Sequence, residues 1–335
     1  MLSAGKKFGL AYLTQSDADE YLARYQGQVL GIVNYGQRAA LAFLADRPAP
    51  IAVDIPVLGE HDSVIEVWTS HAPVTPCGHL GIEGSSDGNV LFGSITLPQH
   101  PGESLHALAK QAYSRIFGFL DHHAYPHLLR VWHYFPRINE DEDGLERYRS
   151  FNVGRHEAFV AHGRTIEQQS LPAASALGSN SGSLVMYFIA GRQPGQAVEN
   201  PRQVSAYQYP ASFGPRSPIF VRSISVTVGG QPCFFISGTA SIIGYQTVHQ
   251  GDVEKQTEET LYNIRTLLDH AQHHNVDQGK LLFKVYLRHS QDMDLVRAKI
   301  QAEFGTGHSA IYLHSHICRS DLLLEIEAAY FNNTQ

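Results

Sequence analysis

The chain repeats itself once, and that repetition limits its possible folds more than any other feature. The first copy reads as a strand over residues 89–97, a polar loop with Pro98 and Pro101, a helix over 104–122 and a strand over 128–135. The second reads as a strand over 233–242, a loop, a helix over 253–273 and a strand over 281–288. Local details recur: Phe92-Gly93-Ser94 parallels Ser237-Gly238-Thr239, Asp121-His122 parallels Asp269-His270, and Leu128-Leu129 parallels Leu281-Leu282. A helical segment follows each copy, over 144–151 and 294–304. Two copies of this length predict two related domains rather than a solenoid.

The helix of the second copy is the clearest local signal. Asp252 can cap it after Gly251, and Val253, Thr257, Leu261, Ile264, Leu268 and Ala271 form one apolar stripe. Leu105, Leu108, Ala112, Ile116 and Phe119 do the same in the first copy. Apolar runs at 29–33, 51–55, 64–68, 184–190 and 220–228 read as further strands, with a helical phase at 39–45. Residues 170–183, rich in Ala, Ser, Gly and Asn, are expected to form a loop or tight crossing. Residues 201–218, dense in proline and aromatics, are expected to form a rigid loop packed on the body of the protein.

Composition narrows the function. A formal charge of −7 with no run of Lys and Arg argues against nucleic acid or an anionic membrane as main partner. An anionic substrate must then be met by individually placed arginines. No stretch approaches the ~18–20 apolar residues of a membrane span, and the N-terminus has no hydrophobic signal core, so a cytoplasmic protein is expected. Three widely spaced cysteines do not suggest a disulfide framework. His314, His316 and Cys318 would share one strand face, but no further converging ligand is identifiable, and no metal is expected.

The last strand, over 321–330, carries the candidate chemistry. Leu322, Leu324 and Ile326 fall on one face and Leu323, Glu325 and Glu327 on the other. If that face meets water, the carboxylates are ordinary surface charges. If it meets a cavity, burial raises a carboxyl pKa and makes a general acid usable near neutral pH.

The Ile-Ser-Gly-Thr-Ala strand (236–240), the Gly-Asp-Val-Glu-Lys-Gln-Thr helix start (251–257), Lys-Val-Tyr-Leu-Arg (284–288) and Leu-Glu-Ile-Glu-Ala (324–328) resemble the reactive-intermediate deaminase superfamily. Two such units, with Glu146–Arg155 and Tyr207–Pro218, resemble the chorismatase family over roughly residues 60–330. The resemblance implies an α+β fold of two tandem deaminase-like units, mixed sheets each with helices packed on one face. The units are expected at 1–155, a degenerate N-terminal domain, and 156–335, a C-terminal domain carrying the catalytic glutamate. It also implies a pyruvate-releasing enzyme acting on chorismate without a cofactor, as a monomer or small homo-oligomer.

Chorismate carries two carboxylates, a hydroxyl and an enol ether. The carboxylates call for arginine, whose planar fork binds them bidentately. Arg155 and Arg222 are the first candidates and Arg288 the next, each with a surface ion pair as its alternative. Arg147 and Arg149 are expected to face solvent. Tyr207 and Tyr209 offer hydrogen bonds, or else pack the proline-rich loop. By resemblance Glu325 is the acid that protonates the enolpyruvyl methylene, with Glu327 at the rim or in support. Ala240 approaches the ring, and Cys318 marks the subclass yielding 3-hydroxybenzoate, with 4-hydroxybenzoate a possible co-product. Hydrolysis to a dihydroxycyclohexadiene acid and non-catalytic metabolite binding are the alternatives.

Overall fold

The computed structural model describes residues 7–37, 48–271, 277 and 280–332. Along the chain, strands and helices form three successive blocks, each built on one main sheet, with Val57–Leu58 of the first block joining the sheet of the third. The first sheet runs Gly9–Leu13, Ser63–Thr69, Val29–Gly36, Ile51–Val53. The second runs Ala173–Ser179, His127–Pro136, Ser183–Gly191, Val90–Pro98, Ile82–Ser86, Thr75–His79. The third runs Gln196–Val198, Ser223–Val228, Gln231–Thr239, Leu324–Phe331, Leu282–Leu287, Ser309–His314, Val57–Leu58.

In all three blocks the last strand inserts centrally, antiparallel to both neighbours: Ser63–Thr69, Ser183–Gly191 and Leu324–Phe331. Beyond one of those neighbours each sheet adds a parallel pair: Ile51–Val53 beside Val29–Gly36, Ala173–Ser179 beside His127–Pro136 and Ser309–His314 beside Leu282–Leu287. The α+β class and both expected repeats are present, and the first block repeats their strand order a third time.

The two expected long helices are Leu105–His123 and Val253–His270. Ser104 caps the first, its Oγ accepting from the Ala107 N–H at 3.2 Å. Asp252 caps the second, accepting from the Lys255 N–H at 3.0 Å. Their apolar stripes supply fully buried residues such as Leu108, Ala112 and Ile116, and Ile264 and Leu268. The helices that follow are Arg147–Ala161 and Met293–Phe304. The helical phase expected at 39–45 lies outside the described residues, as does 272–273 at the end of the second helix.

Two regions differ from expectation. Ala173–Ser179 is a strand, not a loop, because its small side chains let the second and third sheets approach closely. There the Ala174 N–H donates to Ser237 Oγ at 2.9 Å, and the Gly178 N–H donates to the His316 carbonyl at 2.8 Å. The expected boundary at 155/156 falls inside the helix Arg147–Ala161, and the second sheet continues to Gly191, so strand pairing groups residues 75–191 together. The proline-rich segment packs as expected, through short 3-10 turns at Ala206–Gln208 and Ala211–Phe213 that bury Ala206 and Tyr209.

The three sheets meet around one buried polar cluster. The first contributes Tyr35 and Glu66, the second Tyr134 and Tyr187, and the third Lys284 and Glu327. Lys284 Nζ lies 2.6 Å from Glu66 and 3.1 Å from Glu327, while the Tyr35 and Tyr187 hydroxyls are 2.6 Å apart. Buried charges persist only when paired in this way.

Candidate active site

Every residue of Leu324–Phe331 is buried, so neither face of this strand meets bulk water. Glu325 and Glu327 are each only 4% exposed, which excludes the surface reading of the pair. Two neighbouring carboxyls here hold opposite electrical states.

Glu327 is surrounded by donors. Arg130 Nη2 lies 2.7 Å away, Trp132 Nε1 2.6 Å, Ser175 Oγ 2.6 Å and Lys284 Nζ 3.1 Å. Burial works to raise its pKa, but Lys284, Arg130 and the hydrogen bonds outweigh burial and hold the carboxyl below its ordinary value. It is therefore an anion inside the protein and not a rim residue. The hydrogen bond that reaches Glu325 comes from the Cys318 thiol, a weak donor, at 3.8 Å. Burial first, and then the charge of Glu327, push the Glu325 carboxyl up to about 8 against the opposing pull of Arg130, Cys318 and Arg222. At neutral pH it carries a proton.

The space for Glu325 is made by Gly238, which lies at an irregularity in the strand pairing between Ile236 and Thr239. A Cβ at residue 238 would overlap Glu325 Oε1. At the repeated position in the first copy, the space beside Gly93 holds the ring of Phe188 instead. The same glycine thus accommodates an acid in one copy and an inert aromatic ring in the other.

Cys318 lines a cavity of about 430 Å³. Helix Arg147–Ala161 of the second block supplies Tyr148, Arg149 and Asn152, and the proline-rich loop supplies Tyr209 and Phe213. Arg319 and Asp321 complete the wall beside Cys318, so the cavity lies where the two repeats meet. Burial, and then the field of Glu325, push the Cys318 thiol well up, so it stays a neutral thiol and is no nucleophile. Burial likewise raises the Tyr148 phenol, which lies within the electrostatic reach of Cys318, Arg155 and Glu325.

The arginines separate into distinct roles. Arg222 is 4% exposed and donates through Nη2 to Tyr209 Oη at 2.7 Å and to the Val204 carbonyl at 3.0 Å, leaving Nε without a partner. Arg155 is 2% exposed, lies over the Tyr113 ring at 5.2 Å, and leaves Nε and Nη2 unpartnered. Buried guanidinium nitrogens are seldom left so. Arg288 instead has its nitrogens committed. It donates to the carbonyls of Leu322 and Arg319 at 2.8 Å each, and lies 2.9 Å from His316 Nδ1. It clamps the loop carrying Cys318 and has no free fork for a substrate carboxylate.

Of the expected site residues, Tyr209 and Cys318 line the cavity, whereas Glu325, Arg155, Arg222 and Arg288 lie behind its wall and Tyr207 and Ala240 are also absent from it. Tyr207 packs against the core, its carbonyl accepting from Ser217 Oγ at 2.8 Å. Ala240 is 4% exposed and its carbonyl accepts from Asn263 Nδ2 at 3.1 Å, one turn of chain from the lining residue Ile242. His314, His316 and Cys318 turn to different partners: the Arg288 carbonyl, the Arg288 guanidinium and Glu325. Arg147 is not solvent-facing but buried, paired with Glu142 and donating to Gln99 Oε1 at 2.8 Å.

Tyr148, Asn152 and Arg319 are cavity residues that sequence reasoning did not single out. Arg319 stacks over Phe213 at 4.6 Å and Tyr209 at 5.4 Å, tying its own loop to the proline-rich one. Its position directly after Cys318 was the available signal. Arg149, expected in solvent, also contributes to the wall while remaining partly exposed.

Residues 66–190 match the family described as "Chorismatase FkbO/Hyg5-like, N-terminal". The chain is 34% identical over 314 residues to a 3-hydroxybenzoate synthase of Streptomyces hygroscopicus, covering 89% of this chain and 90% of the relative. It is 36% identical over 279 residues to a chorismatase of Streptomyces rapamycinicus, covering 80% and 82%. A crystal structure of a chorismatase superposes with a TM-score of 0.85 at 30% identity, covering 97% of this chain and 98% of that one.

Proposed function

Because the chain belongs to the chorismatase family, we propose that it converts chorismate to 3-hydroxybenzoate and pyruvate, with Glu325 as the proton donor. The observation that carries this reading is a protonated carboxyl, seated against Gly238, one thiol deep to the wall of a cavity with unpartnered guanidinium nitrogens nearby. Arg222 and Arg155 are the proposed anchors for the substrate's carboxylates. Tyr209, held by Arg222, is the proposed hydrogen-bonding partner on the cavity wall.

Glu325 gives its proton to the methylene carbon of the enolpyruvyl ether, which becomes the methyl group of pyruvate. The bond between the ring carbon and the ether oxygen breaks, and its electron pair stays with that oxygen as the pyruvate ketone. The ring's own hydroxyl oxygen closes on the vacated carbon, its bond to the neighbouring ring carbon then breaks with the electron pair staying on oxygen, and loss of the C–H proton from the carbon that now bears the oxygen aromatises the ring. One proton enters and one leaves, so Glu325 is restored by the end of the cycle. General acid catalysis of this kind contributes typically 10²–10⁴-fold. Cys318, a neutral thiol beside the acid, is the residue that by resemblance marks internal closure over attack by water.

Product analysis after incubation with chorismate tests the reading. Equal amounts of pyruvate and 3-hydroxybenzoate are expected. A non-aromatic dihydroxy acid with pyruvate would make the chain a hydrolase, and no turnover would leave a binding protein.

A further inference from the structure

The proposed acid is neutral, yet it lies in a protein interior that contains buried cations. The arrangement of the central cluster keeps those cations from drawing a proton off Glu325. Arg130 and Lys284 are both nearly fully buried, and both contact Glu327. If they served Glu327 alone, the group beside Glu325 would carry surplus positive charge and would favour the ionised acid. The first sheet removes that surplus. Glu66, wholly buried, takes Lys284 at 2.6 Å and is itself fixed by Trp68 Nε1 at 2.6 Å and the Tyr35 hydroxyl at 3.0 Å. Two buried cations of the cluster are thus matched by two buried carboxylates drawn from two sheets, so the cluster itself presents no surplus cation to Glu325.

We propose that Glu327 is a positioning residue for the acid, and that the Glu66–Lys284–Glu327 chain keeps Glu325 in its proton-carrying form from the far side of the cluster. The inference rests on Glu325 being the proton donor and says what maintains it in that state. The other groups facing Glu325 are accounted for. Cys318 is a neutral thiol on the preceding loop, and Tyr148 is a neutral phenol on the helix Arg147–Ala161. Arg130 is committed to Glu327 and Ser175, while Arg222, held through Nη2 by Tyr209 and the Val204 carbonyl, remains a cation that pulls the Glu325 carboxyl down and is outweighed by burial and Glu327. The first block, whose described residues contribute none of the wall of the Cys318 cavity, thereby acquires a role in the chemistry.

The test is the pH profile of single-turnover pyruvate release in Glu327→Gln and Glu66→Gln, with folding checked by circular dichroism and melting. Both substitutions keep side-chain shape and an acceptor oxygen while removing one negative charge. The alkaline limb should move to lower pH by about one pH unit in Glu327→Gln and by a smaller amount of the same sign in Glu66→Gln. A merely structural role would lower the melting temperature and leave the limb in place, which would overturn the proposal. Should Glu327→Gln not fold, Glu66→Gln decides by the same criterion. Isotope-edited infrared titration of the protonated carboxyl band, assigned by its loss in Glu325→Gln, reports the acid without using turnover. Full activity in Glu325→Gln would sink the functional reading itself. An inactive Glu325→Gln with an unmoved limb and band in the charge variants would sink only this inference.

Discussion

Gly238 and Glu325 share one space on neighbouring strands: a side chain on the first would displace the carboxyl of the second. The glycine at this point of the repeat is a requirement of the site more than of the backbone. Gly238→Ala should reduce pyruvate release by at least about 10²-fold by moving the acid, and overpacking should cost about 1–3 kcal/mol of stability. Turnover measured beside thermal melting checks this. A stable, fully active Gly238→Ala would mean that Glu325 can leave its seat without consequence.

With Glu325 as the proposed proton donor, its protonation state should set an upper pH limit on activity. With its carboxyl pushed up to about 8, the rate of pyruvate release should hold below that pH and fall tenfold per pH unit above it. A limb near the ordinary carboxyl range would contradict a buried neutral acid.

The same shift has a stability consequence, with its sign fixed by linkage. The folded pKa of Glu325 is raised, so its contribution to stability is complete below the unfolded value of about 4.3. That contribution is lost as pH rises toward about 8, by up to about 1.4 kcal/mol per pH unit. Glu325→Gln does not titrate. Its stability relative to the parent should therefore rise across that window and level off above it, as read from denaturant midpoints at several pH values. A constant difference would show that Glu325 ionises alike in both states.

Cys318 touches the acid and lines the cavity, so it is placed to influence the steps after protonation. Cys318→Val should change the proportions of 3-hydroxybenzoate, 4-hydroxybenzoate and dihydroxy acid while pyruvate release continues. Unchanged proportions by chromatography would reduce Cys318 to packing.

Arg288 positions Cys318 indirectly by gripping the loop before the last strand. Arg288→Lys cannot reproduce that multidentate grip. It should lower stability by about 1–3 kcal/mol and lower kcat more than it raises KM. An effect on KM alone would return Arg288 to substrate binding.

The parts of the fold that could be read from the sequence are those in which a periodic pattern and a local cap agree. The helices after Ser104 and Asp252 are such cases, as are the strands beginning near Val90 and Leu282. The first block was not recognisable as a third copy. Its helix Gln15–Arg24 buries only Ala18 and Leu22, too little for an apolar stripe, and strand order leaves no mark on composition. Ala173–Ser179 reads as a loop because small residues signal either freedom or close approach, and only neighbouring sheets decide which. At the site, Cys318 touches Glu325 and Arg222 holds Tyr209, contacts between segments whose separation in sequence hides them. Arg288 departs from its expected role because a guanidinium spent on backbone carbonyls looks the same in sequence as a free one. The opposed states of Glu325 and Glu327 depend on Lys284 and Arg130, distant in sequence, so strand alternation could not separate them.

The central claim is that a proton held on Glu325 starts the reaction. Single-turnover pyruvate release from chorismate should fall by about 10³-fold in Glu325→Gln, within the range expected for loss of a general acid, while its circular dichroism spectrum and substrate affinity stay close to those of the parent. A Glu325→Gln protein that releases pyruvate at the parental rate would contradict the account.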